Sequence, residues 1–204
     1  MGQEPLKAPY LLYDELRRRA TEFLSSYHPS GSIPVPIEEI IEFTFGIDII
    51  PVPDLQTTFD TVGFLSSDMT TITVDSFVQN KRIPRYRFTL AHELAHLVLH
   101  AGIFGSVSFS TTDEWKEFQN SISPIEYGWL ELQANNFAGL ILVPPGEFET
   151  RFSKAMRSAA RAGMTAKNAS EVLKEYVHAW LGKQFNVSAD VIEKRADREK
   201  VWNP

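Results

Sequence analysis

The 204-residue chain predicts an α+β fold, mostly helical, with a small antiparallel sheet just before a central apolar helix and a C-terminal helical segment resembling a helix-turn-helix. Three observations carry that prediction. Apolar residues recur at three and four over several long stretches. The β-type runs are short and fall between residues 47 and 75. One stretch, Arg85 to His100 (RYRFTLAHELAHLVLH), gathers its polar groups on a single strip of an otherwise apolar helix.

Composition bounds the rest. With 43% hydrophobic and 12% aromatic residues, the chain can bury a real core, either as one sizeable domain or as a domain with a small appendage. The expected divisions are an N-terminal helix in 1–30, a core domain in 31–150, and a C-terminal helical segment in 151–204 that packs on the core. A net charge of −6 argues against a general nucleic-acid or anionic-membrane binder. The absence of cysteine excludes thiolate-held zinc and disulfides. No signal-peptide pattern and no long apolar run stands out, so a soluble cytoplasmic protein is expected.

Taken in order, Pro9 to Tyr27 reads as an amphipathic helix, with Leu12, Leu16, Ala20, Phe23 and Leu24 inward and Arg17 to Arg19 outward. Pro36 opens a short helix from Ile37 to Phe45, closed by Gly46. Ile47 to Ile50 is strand-like, 55–61 reads as polar loop, and Val62–Leu65 with Thr71–Asp75 reads as a hairpin. The hairpin edge either accepts an extended substrate backbone or simply covers the core. The apolar helix after Pro84 should end near Gly102 and Gly105, with 101–111 irregular. Thr111 and Glu114 form a capping-box pattern for a short helix through Phe118. A long apolar helix from about Ile125 to Leu142 is stopped by Pro144 and Pro145.

The central helix carries H-E-x-x-H. His92 and His96 lie roughly 40° apart around a helix, close enough for both imidazoles to reach one ion, with Glu93 beside them. Two readings fit: core histidines bonded to backbone carbonyls, or ligands of a metal, for which zinc is the usual partner. Catalytic zinc takes three protein ligands and leaves a fourth position open. The best placed third ligand is Glu131, the one acidic residue between Glu126 and Glu147, set among Leu130, Leu132, Ala134 and Phe137. The competing reading of Glu131 is a half-exposed residue on an amphipathic helix. Asn135, one turn further on, is placed to bond the free ring nitrogen of a liganding histidine.

RFTLAHELAHLVLH followed by E-x-x-A-N-x-F-A-x-x-I-L-V-P resembles the ImmA/IrrE family of gluzincin-like metallopeptidases, over about Pro34 to Pro145. The resemblance implies a zincin-like core, metal ligands His92, His96 and Glu131, and Glu93 as the catalytic carboxylate. It further implies cleavage of a dedicated intracellular protein, typically a repressor, in phage, mobile-element or stress-response circuits. Gln133 departs from the family, which often has a second Glu there; Glu131 still matches, but a charge behind the ligands is lost.

Toward the C-terminus, Phe148 to Arg161 carries a basic solvated face. Asn168 to Phe185 is amphipathic with Asn168 or Ser170 as cap, and Asn186 to Ser188 turns the chain into a last helix capped by Ser188. Acidic Asp190, Glu193, Asp197 and Glu199 would meet phosphates poorly, so direct DNA binding is not expected and packing or protein recognition is. The expected chemistry is peptide hydrolysis with Zn2+ as cofactor, Mn2+ or another divalent ion being left open. Glu93 moves the proton, and Tyr127 or His100 are the nameable oxyanion donors. The alternative function is a regulatory protein-interaction module, an antitoxin or sensor, that keeps the metal site with little proteolysis.

Overall fold

The computed structural model describes residues 6–104, 109, 111–164 and 170–202. Its centre is a pair of packed helices, α5 (Ile83–Phe104) and α7 (Pro124–Leu142). Leu90, Ala91, Leu94 and Ala95 of α5 meet Ala134, Phe137, Ala138 and Ile141 of α7, all fully buried. Alanines at these positions let the two backbones approach, while leucine, isoleucine and phenylalanine fill the remaining space. α1 (Tyr13–Tyr27) lies against α7 through Leu16, Ala20 and Phe23, and Phe23 meets Phe137 edge to face at 6.0 Å.

The helix expected from Pro9 starts at Tyr13 instead. Residues 8 and 9 run along α7: Ala8 N donates to Glu126 Oε2 (2.6 Å), and Pro9 O accepts from Gln133 Nε2 (2.6 Å). The short helix after Pro36 begins as α2 (Ile37–Glu39), loosens into a π turn (Ile40–Thr44), and is closed by Gly46 at φ 64.

The sheet predicted as antiparallel is mixed. β2 (Gly63–Leu65) and β3 (Thr71–Asp75) form the expected antiparallel hairpin, but β1 (Asp48–Val52) pairs in parallel with β3, giving the order β1-β3-β2. A parallel pair needs a crossover, and the stretch read as loop supplies it. It contains α3 (Leu55–Phe59), flanked by Asp54 and Asp60 in left-handed conformations at φ 59 and 51. A further helix, α4 (Ser76–Lys81), starts where Asp75 leaves β3 and caps it by accepting from Val78 N (3.0 Å). α5 continues through Gly102 to Phe104, past the irregular stretch expected from residue 101; Gly105 lies outside the described residues.

α6 (Thr112–Ser121) has the predicted capping box, with Thr111 Oγ1 accepting from Glu114 N (3.3 Å) and Glu114 Oε2 accepting from Thr111 N (3.1 Å). α8 (Pro145–Arg161), α9 (Ser170–Phe185) and α10 (Ala189–Arg198) complete the chain. The proposed caps of α9, Asn168 and Ser170, lie outside the residues whose side chains are described. Ser188 caps α10 by accepting from Val191 N (3.3 Å). Gly182 lets α9 and the turn approach closely, because a Cβ there would sit 2.9 Å from Val187 O. Phe148, Leu181, Phe185 and Ile192 join the same hydrophobic core as α5 and α7. Arg87 of α5 ties that turn to the N-terminal half by donating to Asn186 O (3.2 Å) and Val35 O (2.6 Å).

Candidate metal centre

Helix geometry places His92 and His96 one turn apart on α5, and α5–α7 packing brings Glu131 opposite them. The Nε2 atoms of His92 and His96 are 3.0 Å apart; Glu131 Oε2 is 3.3 Å from His92 Nε2, and Oε1 is 3.4 Å from His96 Nε2. A tetrahedral ion with bonds of about 2.0–2.1 Å holds its ligand atoms about 3.3 Å from one another. The three side chains therefore fit a metal ion in spacing and in donor type, two imidazoles and a carboxylate.

The electrostatics follow from burial and close approach. Burial pushes Glu131 up, but the two imidazoles facing its oxygens, His92 and His96, outweigh it and hold the carboxyl well below its ordinary range. Burial pulls His92 down, yet bonding to Glu131 and the charges of Glu93 and Glu131 leave it raised. In His96 burial prevails and the imidazole is lowered. Glu93, 8% exposed, is pushed up to about 7 chiefly by burial, although the charge of His92 opposes this. Its Oε2 accepts from Leu65 N (3.0 Å), so strand β2 presents a backbone donor to the carboxylate. Gly63 makes that approach of β2 to α5 possible: a Cβ there would lie 2.8 Å from both Thr73 O and Thr89 Cγ2.

These groups open into a cavity of about 180 Å3. Gly63 and Asp60 close it on the sheet side, Trp115 and Gln119 of α6 on another, and Tyr127 and Leu130 of α7 complete the wall. Tyr127 accepts from Gln119 Nε2; burial, followed by the Glu131 charge, raises its hydroxyl above the usual range. Asn135 donates from Nδ2 to Glu131 O on its own helix (2.8 Å), and its side chain beside His92 helps raise that imidazole.

The structure thus brings together His92, Glu93, His96, Glu131 and Tyr127 around the cavity, while Asn135 stands beside His92 without lining it. It does not bring His100 into the cavity. That imidazole is 1% exposed, with Nδ1 3.0 Å from His96 Nδ1 and Nε2 3.0 Å from Gln133 Oε1, so it has no N–H to offer an oxyanion in the cavity. Burial, then the neighbouring His96, lowers it to about 4. Sequence reasoning missed the Leu65 N–H and the contacts of Gln133. A polar residue buried at 2% on the apolar face of α7 was the available signal for the latter.

Fold and site define a class: mostly helical proteins in which two packed helices bring two histidines and a glutamate within reach of one metal ion. The chain belongs to the IrrE N-terminal-like domain family, peptidase M78, whose model matches residues 46–197. Among solved structures, a Mycobacterium tuberculosis transcriptional regulator is similar at 19% identity and a TM-score of 0.50, over 89% of this chain and 46% of that one. The likeness is one of fold, and this chain spans less than half of that protein's length. No curated protein matches the sequence.

Proposed function

We propose that the protein is a metal-dependent endopeptidase that hydrolyses a peptide bond in a dedicated protein substrate, such as a transcriptional repressor, with zinc as the ion. The convergence of His92 Nε2, His96 Nε2 and Glu131 beside an unligated, buried Glu93 supports this reading best. His92, His96 and Glu131 would hold the ion, which supplies a Lewis acid that acidifies water and polarises the scissile carbonyl. Glu93 is the base. With Oε2 held by the Leu65 N–H, Oε1 is free to take a proton from the attacking water and deliver it to the amine leaving as the C–N bond breaks. Burial tunes this carboxylate toward neutrality, where a general base works best, and a cation seated beside it would draw its pKa down again. Tyr127, whose oxygen accepts from Gln119 at the cavity wall, would turn its O–H to the oxyanion. Asn135 would orient His92.

The fold-level likeness to a transcriptional regulator fits a role in gene regulation, and it keeps open the reading of a metal-bearing interaction module with little proteolysis. Glu93→Gln discriminates the two. Co-expression with proteins encoded nearby, read by mass spectrometry of their fragments, should show a cut made by wild type and lost by at least 100-fold in Glu93→Gln, with metal content unchanged. An equal biological effect from both proteins would replace the peptidase with the interaction module.

A further inference from the structure

We propose that His100 and Gln133 are positioning residues that, anchored on the Pro9 carbonyl, fix His96 with its proton on Nδ1 and its Nε2 lone pair turned toward the metal. The inference rests on the metal site proposed above, and extends it to residues outside the cavity.

The Pro9 carbonyl has a hydrogen-bonding sense fixed by chemistry. A proline carbonyl can only accept. Gln133 Nε2, 2.6 Å from Pro9 O, therefore carries the amide hydrogens, and the opposite amide orientation would set two oxygens against each other inside the protein. Gln133 Oε1 must then accept at its other contact, from His100 Nε2 at 3.0 Å. A neutral imidazole has one N–H, so His100 with its proton on Nε2 has a bare Nδ1. That nitrogen is 3.0 Å from His96 Nδ1 and can only accept from it. His96 is left with its proton on Nδ1, and Nε2 is the lone pair facing His92 Nε2 and Glu131. Each link determines the next, and the last is the tautomer a metal ligand requires.

Burial keeps the sequence of bonds from being scrambled by water: His96, His100 and Gln133 are 4%, 1% and 2% exposed. The spacing comes from secondary structure. His100 lies one turn beyond His96 on α5, and Gln133 faces it from α7. The departure at residue 133 also acquires a cause. A glutamate would accept from His100 as well as glutamine does, but its second oxygen would confront Pro9 O. Glutamine is the residue that serves both contacts, coupling residues 8 to 12 to the metal helix.

The test uses the full-length chain as wild type, Gln133→Leu and Gln133→Glu, with zinc alone as probe. Long-range 1H–15N correlation spectra of histidine-labelled, metal-free wild type should show His96 protonated on Nδ1 and His100 on Nε2. Zinc affinity, measured by competition with a chromophoric chelator, should fall roughly 10- to 100-fold in Gln133→Leu and stay within about threefold in Gln133→Glu. Amide exchange at residues 10–12 should quicken in both variants, since both lose the bond to Pro9. A wild-type spectrum with the proton of His96 on Nε2 overturns the proposal. So does zinc binding by Gln133→Leu equal to wild type. Equal loss of affinity in both variants would reduce Gln133 to a structural contact and also overturn it. Should Gln133→Leu fail to fold, the wild-type spectrum and Gln133→Glu decide. Failure of wild type to bind zinc at all would instead remove the underlying site.

Discussion

Glu131 is the residue on which the site closes. Two imidazoles four apart on one helix offer two ligands through local geometry alone; the third must cross from another helix, and Glu131 does so with one oxygen within reach of each histidine. Its carboxylate is held below its ordinary range despite burial, because both imidazoles face it. Glu131→Ala should therefore leave the fold intact and reduce bound zinc from near one equivalent to below about a tenth, since a structural third ligand carries a large share of affinity. Elemental analysis of purified wild type and variant checks this. Metal content unchanged in Glu131→Ala would remove it from the ligand set. At this scale the sequence was largely readable: H-E-x-x-H and the isolated acidic residue of a second apolar helix are visible without coordinates. The bond from Leu65 N to Glu93 was not, because a backbone donor has no letter of its own.

Among the elements, β2 is held from two sides. It lies at the sheet edge, spans Gly63 to Leu65, and is squeezed between β3 and α5. Gly63→Ala should force the strand away from Thr89 and lower stability by roughly 1–3 kcal/mol, the usual cost of overpacking. For a chain of this size that is a drop in Tm of about 2–12 °C. Calorimetry of Gly63→Ala with and without Thr89→Ser, which removes the Cγ2 methyl, checks the contact: partial recovery is expected, and none would mean that the Thr73 carbonyl alone sets the limit. Long periodic helices were legible as elements because their pattern repeats over many residues. The short ones, α3 and α4, were not: five or six residues carry too little periodicity, and α3 depends on two aspartates in left-handed conformations. The parallel pairing of β1 with β3 is also non-local, joining Asp48 to Thr71 across a helix and a hairpin strand.

The whole molecule has one main core that reaches from α1 to α10. Val191, Ile192 and Ala196 of α10 are buried in it, and Arg195 stacks on Phe148 at 5.7 Å while pairing with Glu199 (2.6 Å) and the Tyr13 hydroxyl. Burying one valine and one isoleucine contributes about 3–6 kcal/mol, a large part of the 5–15 kcal/mol by which such domains are stable. A chain ending after Phe185 should consequently lose its cooperative thermal transition and its near-ultraviolet circular dichroism. A truncated protein that still unfolds sharply and binds zinc would show the last helix to be a dispensable appendage. No helix among the described residues is long and apolar enough to cross a membrane.

The sequence by itself determined the relation of His92, Glu93 and His96, which is fixed as soon as the backbone coils, whatever surrounds them. It also determined the caps, since a threonine or serine before a helix needs only its own next turn. Tertiary structure alone decided which strand joins β3, which backbone N–H holds Glu93, and that Gln133 spans His100 and Pro9. Each of these is a contact between segments distant in the chain. Whether such a contact forms depends on how the apolar faces of α5 and α7 settle against each other, and no single segment contains that information.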